Sequence, residues 1–494
     1  MSPNLEELTL EHKDLIAIQH GQFSFQHFSK LKVLTLSNLQ NRSQLFLIGF
    51  LKTVHYVETI VVESSNLEEL FSCEGFTLVR NLELFTVDFL KQIWDQDSRL
   101  KPVLQHLETL SVRRCNSLIN IVPSSSSFPN LATLVVGYCE GLKTYFQASK
   151  FPALWHGGIQ GRLFYNVQSL TVDQCAISDI PVPANLLQFL NKLESLQVEY
   201  CDSAKIVFDL EGLSVDDGHT KLLPQLSILH LANMAMLRHL WNKDPLGILE
   251  FNKLRLLRVE NCNRLKNIFT WSTALCLMQL EEIKLSNCNT IEEIIEKEGP
   301  EEATSSADKM ILPSLKFIDL ECLPKFSSFY SGSSNLECLS LKKLSIYECP
   351  SMKNVFGTLL RLHRPNTNDE GREQRLDNEG FDTPLTTPFY HKVAFEGIYD
   401  VQLSNFPMLK EKWHGQFPFK NLKHLRKDFL KCPSLKRIDM VGCPNMELLA
   451  SKFCEDQDLS MIAEGNEEGI HNGDFVFSIA ASSGGKVAIP SLEE

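Results

Sequence analysis

Apolar residues return along this chain in one fixed order. Residues 107–122, LETLSVRRCNSLINIV, and 131–146, LATLVVGYCEGLKTYF, share it almost position for position. Aligned on the opening leucine, the pattern is L-x-x-L-x-L-x-x-C-x-x-L-x-x-hh, where hh is an apolar pair usually ending in an aromatic residue. LESLQVEYCDSAKIVF (193–208), LRLLRVENCNRLKNIF (254–269), LEEIKLSNCNTIEEII (280–295) and LKKLSIYECPSMKNVF (341–356) follow it, as do VQSLTVDQCAISDIP (167–181) and LKRIDMVGCPNMELLA (435–450). A second version puts a large apolar residue at the cysteine position: LSILHLANMAMLRHLW (226–241), LKFIDLECLPKFSSFY (315–330) and IYDVQLSNFPMLKEKW (398–413). Weaker copies open at Leu5, Leu31, Val57 and Leu82. The openings fall at 5, 31, 57, 82, 107, 131, 167, 193, 226, 254, 280, 315, 341, 398 and 435, mostly 24–28 residues apart. That interval lies in the range of about 20–29 residues typical of leucine-rich repeats.

The spacing dictates the local structure. In L-x-x-L-x-L the last two leucines are two residues apart, so both point to one face of a short strand and the residues between them to the other. A single unit cannot cover its apolar face; stacking on its neighbours makes a continuous core and a parallel sheet. The predicted fold is therefore α/β: a leucine-rich-repeat solenoid (horseshoe) with a parallel concave β-sheet and short helical or irregular convex segments. About 15 repeats fill residues 1–450.

Counting the opening residue as zero, eight of the fourteen cysteines sit at +8: Cys115, Cys139, Cys175, Cys201, Cys262, Cys288, Cys349 and Cys443. After the strand the chain turns, and +8 must fill a narrow inward site beside the backbone of adjacent coils. Cysteine is small, tolerates burial and offers a weak S–H donor. These cysteines read as a structural ladder. Stacking would bring neighbours such as Cys115 and Cys139 about 5 Å apart, and the expected state is the reduced thiol.

Side chains at +2, +4 and +6 should form columns across the concave face. They are chemically diverse where the inward positions are monotonous, which suits recognition of a protein. Candidate contact residues there are Arg113, Tyr138, Asp173, Gln197, Glu199, His230, Arg258, Glu260, Lys284, Asp319, Lys343 and Tyr347. A basic run (Lys423, Arg426, Lys427, Lys431, Lys436 and Arg437) reverses the local charge and is a candidate docking patch for an acidic partner segment.

Several stretches leave the pattern. Polar insertions near 297–309 and 359–390 are expected to loop out, 414–434 reads as an irregular coil, and 451–494 as an acidic, disordered tail. The chain opens inside a repeat without a polar cap, which suggests an upstream segment or a partner covering that end.

Composition narrows the functions. With 43% hydrophobic and 22% charged residues the chain is of a soluble globular type. A net charge of −13 argues against nucleic acid as the main partner. No apolar run reaches the length of a membrane span, and the first residues do not resemble a signal peptide; a cytoplasmic protein is expected. Gly484-Gly485-Lys486 is followed by Val487 rather than the Ser or Thr of a phosphate-binding loop. No zinc spacing, calcium loop or nucleophile motif is present. No cofactor, metal or enzymatic activity is expected.

With these copies in hand, the chain resembles the C-terminal repeat region of plant intracellular immune receptors, the nucleotide-binding leucine-rich-repeat family of the coiled-coil type. The resemblance rests on cysteine copies such as VENCNRLKNIF (259–269) and SIYECPSMKNVF (345–356) alternating with apolar copies ending in Trp, LANMAMLRHLW (231–241) and LSNFPMLKEKW (403–413). The lead-in segments FPNL (128–131) and LPSL (312–315) fit as well. It implies a defence role: sensing a pathogen effector or a guarded host protein, and restraining a nucleotide-binding domain. The chain itself carries no P-loop, GLPL-like or MHD-like motif, so no ATP-binding residue is carried over. The alternatives are a leucine-rich-repeat substrate adaptor of a ubiquitin ligase, although no F-box segment precedes Leu5, and a truncated receptor fragment without independent activity.

Overall fold

Each opening leucine is followed two residues later by a five-residue strand, and these strands pair in parallel, repeat on repeat. The computed structural model describes residues 5–352 except 21–27, 29, 41–46, 48–49, 52–53, 55, 72–77, 95–104, 119–120, 122–127, 141–163, 175–179, 214–220, 246, 297–308, 331–334 and 339, together with 400–404, 437–441 and 476–480. The chain forms two units, Met1–Leu265 and Lys266–Glu494.

In the first unit the strands are β1 (Glu7–Glu11), β2 (Val33–Ser37), β3 (Thr59–Glu63), β4 (Glu69–Phe71), β5 (Asn81–Phe85), β6 (Gln92–Trp94), β7 (Thr109–Arg113), β8 (Thr133–Gly137), β9 (Ser169–Asp173), β10 (Ser195–Glu199), β11 (Ile228–Ala232) and β12 (Leu256–Glu260). All except β4 and β6 form one parallel sheet in chain order; those two pair with each other in a separate parallel sheet. Helix α1 (His12–Gln19) follows β1, and α2 (Ala184–Leu187) precedes β10.

The second unit has β13 (Glu282–Ser286), β14 (Lys309–Ile311), β15 (Phe317–Glu321), β16 (Asn335–Glu337), β17 (Lys343–Tyr347), β18 (Asp400–Ser404), β19 (Arg437–Val441) and β20 (Val476–Ala480). Strands β13, β15, β17, β18, β19 and β20 pair in that order, all parallel, and β14 pairs with β16. Helix α3 (Trp271–Ala274) is capped by Thr270, whose hydroxyl accepts from the Thr273 amide. The leucine-rich-repeat solenoid expected from the spacing is the fold of this protein.

One repeat shows why. Leu107, Leu110, Val112, Cys115 and Leu118, at 0, +3, +5, +8 and +11, are all fully buried, while Thr109, Ser111 and Arg113 face solvent. A buried Leu or Val removes enough apolar surface from water to contribute about 2 kcal/mol. No coil could bury these positions without a neighbour above and below.

A feature of the turn was not apparent in the sequence. At +7 the backbone enters the left-handed region in one repeat after another: Asn38, Ser64, Thr86, Arg114, Tyr138 and their successors through Glu348 have φ between 39° and 57°. This single residue ends the strand and turns +8 inward. Its N–H donates to the +6 carbonyl of the next coil, as from Asn38 to Glu63 at 3.2 Å, Arg114 to Gly137 at 2.9 Å and Asn233 to Glu260 at 2.9 Å. Asparagine tolerates the conformation best among residues with a side chain. It occupies the position at Asn38, Asn233, Asn261 and Asn287.

The ladder site behind the turn is built from two backbone groups. Each described ladder thiol donates to the +6 carbonyl of its own coil: Cys115 to Arg113 at 3.5 Å, Cys288 to Ser286 at 3.3 Å, Cys349 to Tyr347 at 3.4 Å. The sulfur in turn receives the N–H of the preceding coil's +8 residue, from Val87 to Cys115 and from Leu323 to Cys349. Ser65 fills the same site with oxygen, donating to the Glu63 carbonyl at 2.8 Å and accepting from the Leu39 amide at 3.0 Å. Cys115, Cys139, Cys201, Cys262, Cys288 and Cys349 are buried free thiols; Cys175 and Cys443 lie outside the described residues.

One reading of the sequence needs correction. The fourth repeat opens at Val79, not Leu82: β5 spans Asn81–Phe85, so Val79, Leu82 and Leu84 are the inward residues, all buried. Leu82 supplied a better leucine than Val79, but stacking on β3 fixes the frame, with Ile60 opposite Leu82. Within 451–494 the described residues Val476–Ala480 form a strand that pairs with β19, Ile438 opposite Phe477 and Met440 opposite Ile479. VFSIA alternates as a strand requires, but lacks the opening leucine that marks the other copies.

Candidate functional site

The face that stacking leaves open is the +2/+4/+6 face of each sheet. On the first unit, the parallel register aligns Asp173, Glu199, Ala232 and Glu260 along the +6 row of β9 to β12. It aligns Gln197, His230 and Arg258 along the +4 row beside it. Six of the sequence candidates are thereby gathered on four adjacent strands.

Their arrangement leaves polar atoms unpartnered. Gln197 Nε2 donates to Glu199 Oε1 at 2.6 Å, and His230 Nδ1 lies 3.5 Å from the same oxygen. The His230 and Glu199 side chains are only 18% and 21% exposed. Arg258 Nε stands 3.7 Å from Glu260 Oε1, beyond hydrogen-bond range. Asp173 Oδ1, His230 Nε2 and Arg258 Nε are covered from water and make no hydrogen bond. A buried polar atom without a partner costs about 1–3 kcal/mol; Arg258 Nε keeps its ion pair with Glu260, so the cost falls on Asp173 Oδ1 and His230 Nε2.

Small residues create the posture. Gly137 neighbours Asp173 across the register, and a β-carbon at Gly137 would lie 3.1 Å from Asp173 Cβ. Burial, with the nearby Glu199 charge, raises the Asp173 carboxyl above its ordinary range, while Arg113 and Arg114 oppose the shift. Burial holds the His230 imidazole below its ordinary value against the pull of Glu199 and Glu260. With Nδ1 facing Glu199, the neutral ring presents Nε2 as an acceptor.

A second feature lies at the end of β5 to β8. The Arg114 guanidinium packs between the Phe85 and Tyr138 rings, 5.6 and 5.1 Å from their centroids. Beside it runs an open groove of about 410 Å³, lined by Thr86, Asp88, Arg114, Asn116, Tyr138, Glu140 and Gln174. Tyr138, a candidate for the sheet face, belongs to this edge instead, because it is the +7 turn residue of its repeat. Phe85 and Arg114 were missed. With the repeat framed on Leu82, Phe85 read as inward at +3; framed on Val79 it is outward at +6, and it is 42% exposed.

On the second unit, Lys284 Nζ lies 3.8 Å from Asp319 Oδ2, linking β13 to β15, and Lys343 and Tyr347 share the outward face of β17. The polar insertions near 297–309 and 359–390 and the coil 414–434 lie outside the described residues, apart from Lys309 at the start of β14. So do Lys423, Arg426, Lys427, Lys431 and Lys436; Arg437 begins β19 opposite Asp400.

The ladder thiols are not alike in acidity. Burial pushes the Cys349 thiol up to about 12; the neighbouring Cys139, with burial, raises Cys115 above the usual range, and Cys115, with backbone N–H groups, lowers Cys139. Among the described residues, no cluster of three or more His, Cys, Asp or Glu could hold a metal ion. Among them, too, no helix is long and apolar enough to cross a membrane.

This architecture has named relatives. The family described as plant disease resistance protein RPS2-like leucine-rich repeats matches residues 4–156, 147–289 and 276–361, most of the chain. A probable disease resistance protein of Arabidopsis thaliana is 28% identical over 211 residues, which cover 36% of this chain and 22% of that protein. The match thus spans about a fifth of that relative's length. A solved structure of the plant peptide hormone receptor RGFR1 in complex with RGF2 aligns over 88% of this chain and 66% of its own, at 11% identity and a TM-score of 0.25. The repeated cysteine copies, their parallel stacking and the family match together place this chain in the RPS2-like leucine-rich-repeat family of plant disease resistance proteins.

Proposed function

We propose that this chain is a protein-recognition module of plant defence, which senses a pathogen effector or a guarded host protein and restrains a nucleotide-binding domain not contained in it. Leucine-rich-repeat domains mediate protein–protein interaction and are typically non-catalytic. The observation that carries the reading is the polarised sheet face of the first unit, where Asp173, His230 and Arg258 hold buried polar atoms that make no hydrogen bond. Such atoms are costly to a free-standing domain and become useful when a partner satisfies them.

The restraint is tested by co-precipitation of the full chain with a nucleotide-binding domain from a related receptor. Charge reversals at Arg426, Lys427, Lys431, Lys436 and Arg437 should abolish binding if the basic run is the docking patch. No binding by the folded chain would overturn restraint for that pairing. Sensing is tested separately, by whether candidate effectors or host proteins lose binding on His230→Ala and Arg258→Ala.

A further inference from the structure

We propose that the β9–β12 face of the first unit binds a basic peptide segment, taking an arginine or lysine head at Asp173 and Glu199. This rests on the recognition reading above and names the partner's chemistry. The outward residues of these four strands include three carboxylates, Asp173, Glu199 and Glu260, against one guanidinium, Arg258. Two of the three buried atoms that make no hydrogen bond, Asp173 Oδ1 and His230 Nε2, are acceptors.

A cationic head satisfies both deficits. Guanidinium carries five N–H donors and ammonium three, with no acceptor of its own. Hydrogen bonds to ionised groups are about twice as strong as neutral ones. On these four strands an acidic partner would meet three carboxylates and one cation, with Arg113 and Arg114 acting on Asp173 from beyond β8, and a neutral one would leave the charge excess of the four strands unanswered.

The +2 row adds a second element of recognition. Ile228, 38% exposed, and Leu256 sit there on adjacent strands, an apolar shelf beside the charged rows. An apolar side chain near the cation in the partner would cover it. Asp173 and His230 expose their covered atoms by side-chain rotation, the commonest change at an interface.

The test uses the full chain and a dye-labelled nonapeptide of three Thr-Arg-Leu repeats, with Thr-Gln-Leu and Thr-Glu-Leu counterparts, read by fluorescence anisotropy. The arginine peptide should bind best, and more weakly as salt rises. The pair Asp173→Asn with Glu199→Gln should raise its Kd at least tenfold. Glu63→Gln with Glu83→Gln, the same charge change on β3 and β5 of the same sheet face, should leave it unaltered. Equal weakening by both pairs, or equal binding of the glutamine peptide, would overturn the proposal. Peptides selected by display on the full chain separate the two levels. Binders without Arg or Lys that His230→Ala abolishes would sink the basic-partner proposal and keep the recognition face. Binders indifferent to every substitution on these strands would remove the face itself.

Discussion

Replacing Cys349 isolates what the ladder cysteine does. The residue is fully buried, its thiol donates to the Tyr347 carbonyl at 3.4 Å, and its sulfur receives the Leu323 amide. In Cys349→Ala the lost transfer of one buried heavy atom costs about 0.8 kcal/mol. A residual void of about 25 Å³ adds roughly 0.6 kcal/mol, and the amide left without its acceptor adds about 1 kcal/mol. The total is about 2 kcal/mol. Cys349→Ser keeps both hydrogen bonds, as Ser65 does in its own coil, and should cost under about 1 kcal/mol by the same reasoning. Because a stacked array opens locally, hydrogen exchange of the segment 341–352 in the full chain is the direct assay, with urea unfolding beside it. Alkylation gives an independent check. A thiol held near 12 stays protonated at pH 8, so iodoacetamide should label wild-type Cys349 only through opening. A serine variant that loses more than the alanine variant would refute the view that backbone hydrogen bonding decides this site.

Other expectations follow from the turn, the glycine and the histidine. Thr86 is β-branched at φ +57°; Thr86→Asn should stabilise the coil by roughly 1 kcal/mol and Asn261→Val destabilise it by a similar amount, read by thermal unfolding. Gly137→Ala forces its β-carbon against Asp173 Cβ and should lower the Tm. Asp173→Gly should relieve it, giving a double-mutant coupling of about 1 kcal/mol. For His230, whose pKa is lowered in the fold, the neutral ring is the favoured form. The unfolded chain then binds more protons between the folded value and about 6.5, so stability is complete above that range and falls as pH drops through it. His230→Gln should flatten the change in Tm between pH 7.5 and pH 5.

The repeat was legible because a coil that stacks on copies of itself must present the same inward residues every time. Leu107, Leu110, Val112, Cys115 and Leu118 spell their burial in order. The same logic made Asp173, Gln197, Glu199, His230, Arg258 and Glu260 recognisable as outward candidates before their arrangement was known. It failed where the pattern admitted two frames. Leu82 looked like an opening residue, and only pairing with Ile60 made Val79 the true one, turning Phe85 outward to meet Arg114.

By itself the sequence determined which residues face the core wherever the pattern admits a single frame, because burial requires apolar atoms at a fixed period whatever the neighbours are. The tertiary structure alone decided which outward residues meet. Asp173 and His230 are 57 positions apart in the chain, and they share a surface because β9, β10 and β11 pair in register. Hydrogen-bond satisfaction depends on such cross-strand geometry, and nothing local in the sequence encodes it. So the left-handed turn at +7, the lean of Asp173 over Gly137 and the buried atoms of His230 and Arg258 that make no hydrogen bond emerge only once the coils are stacked.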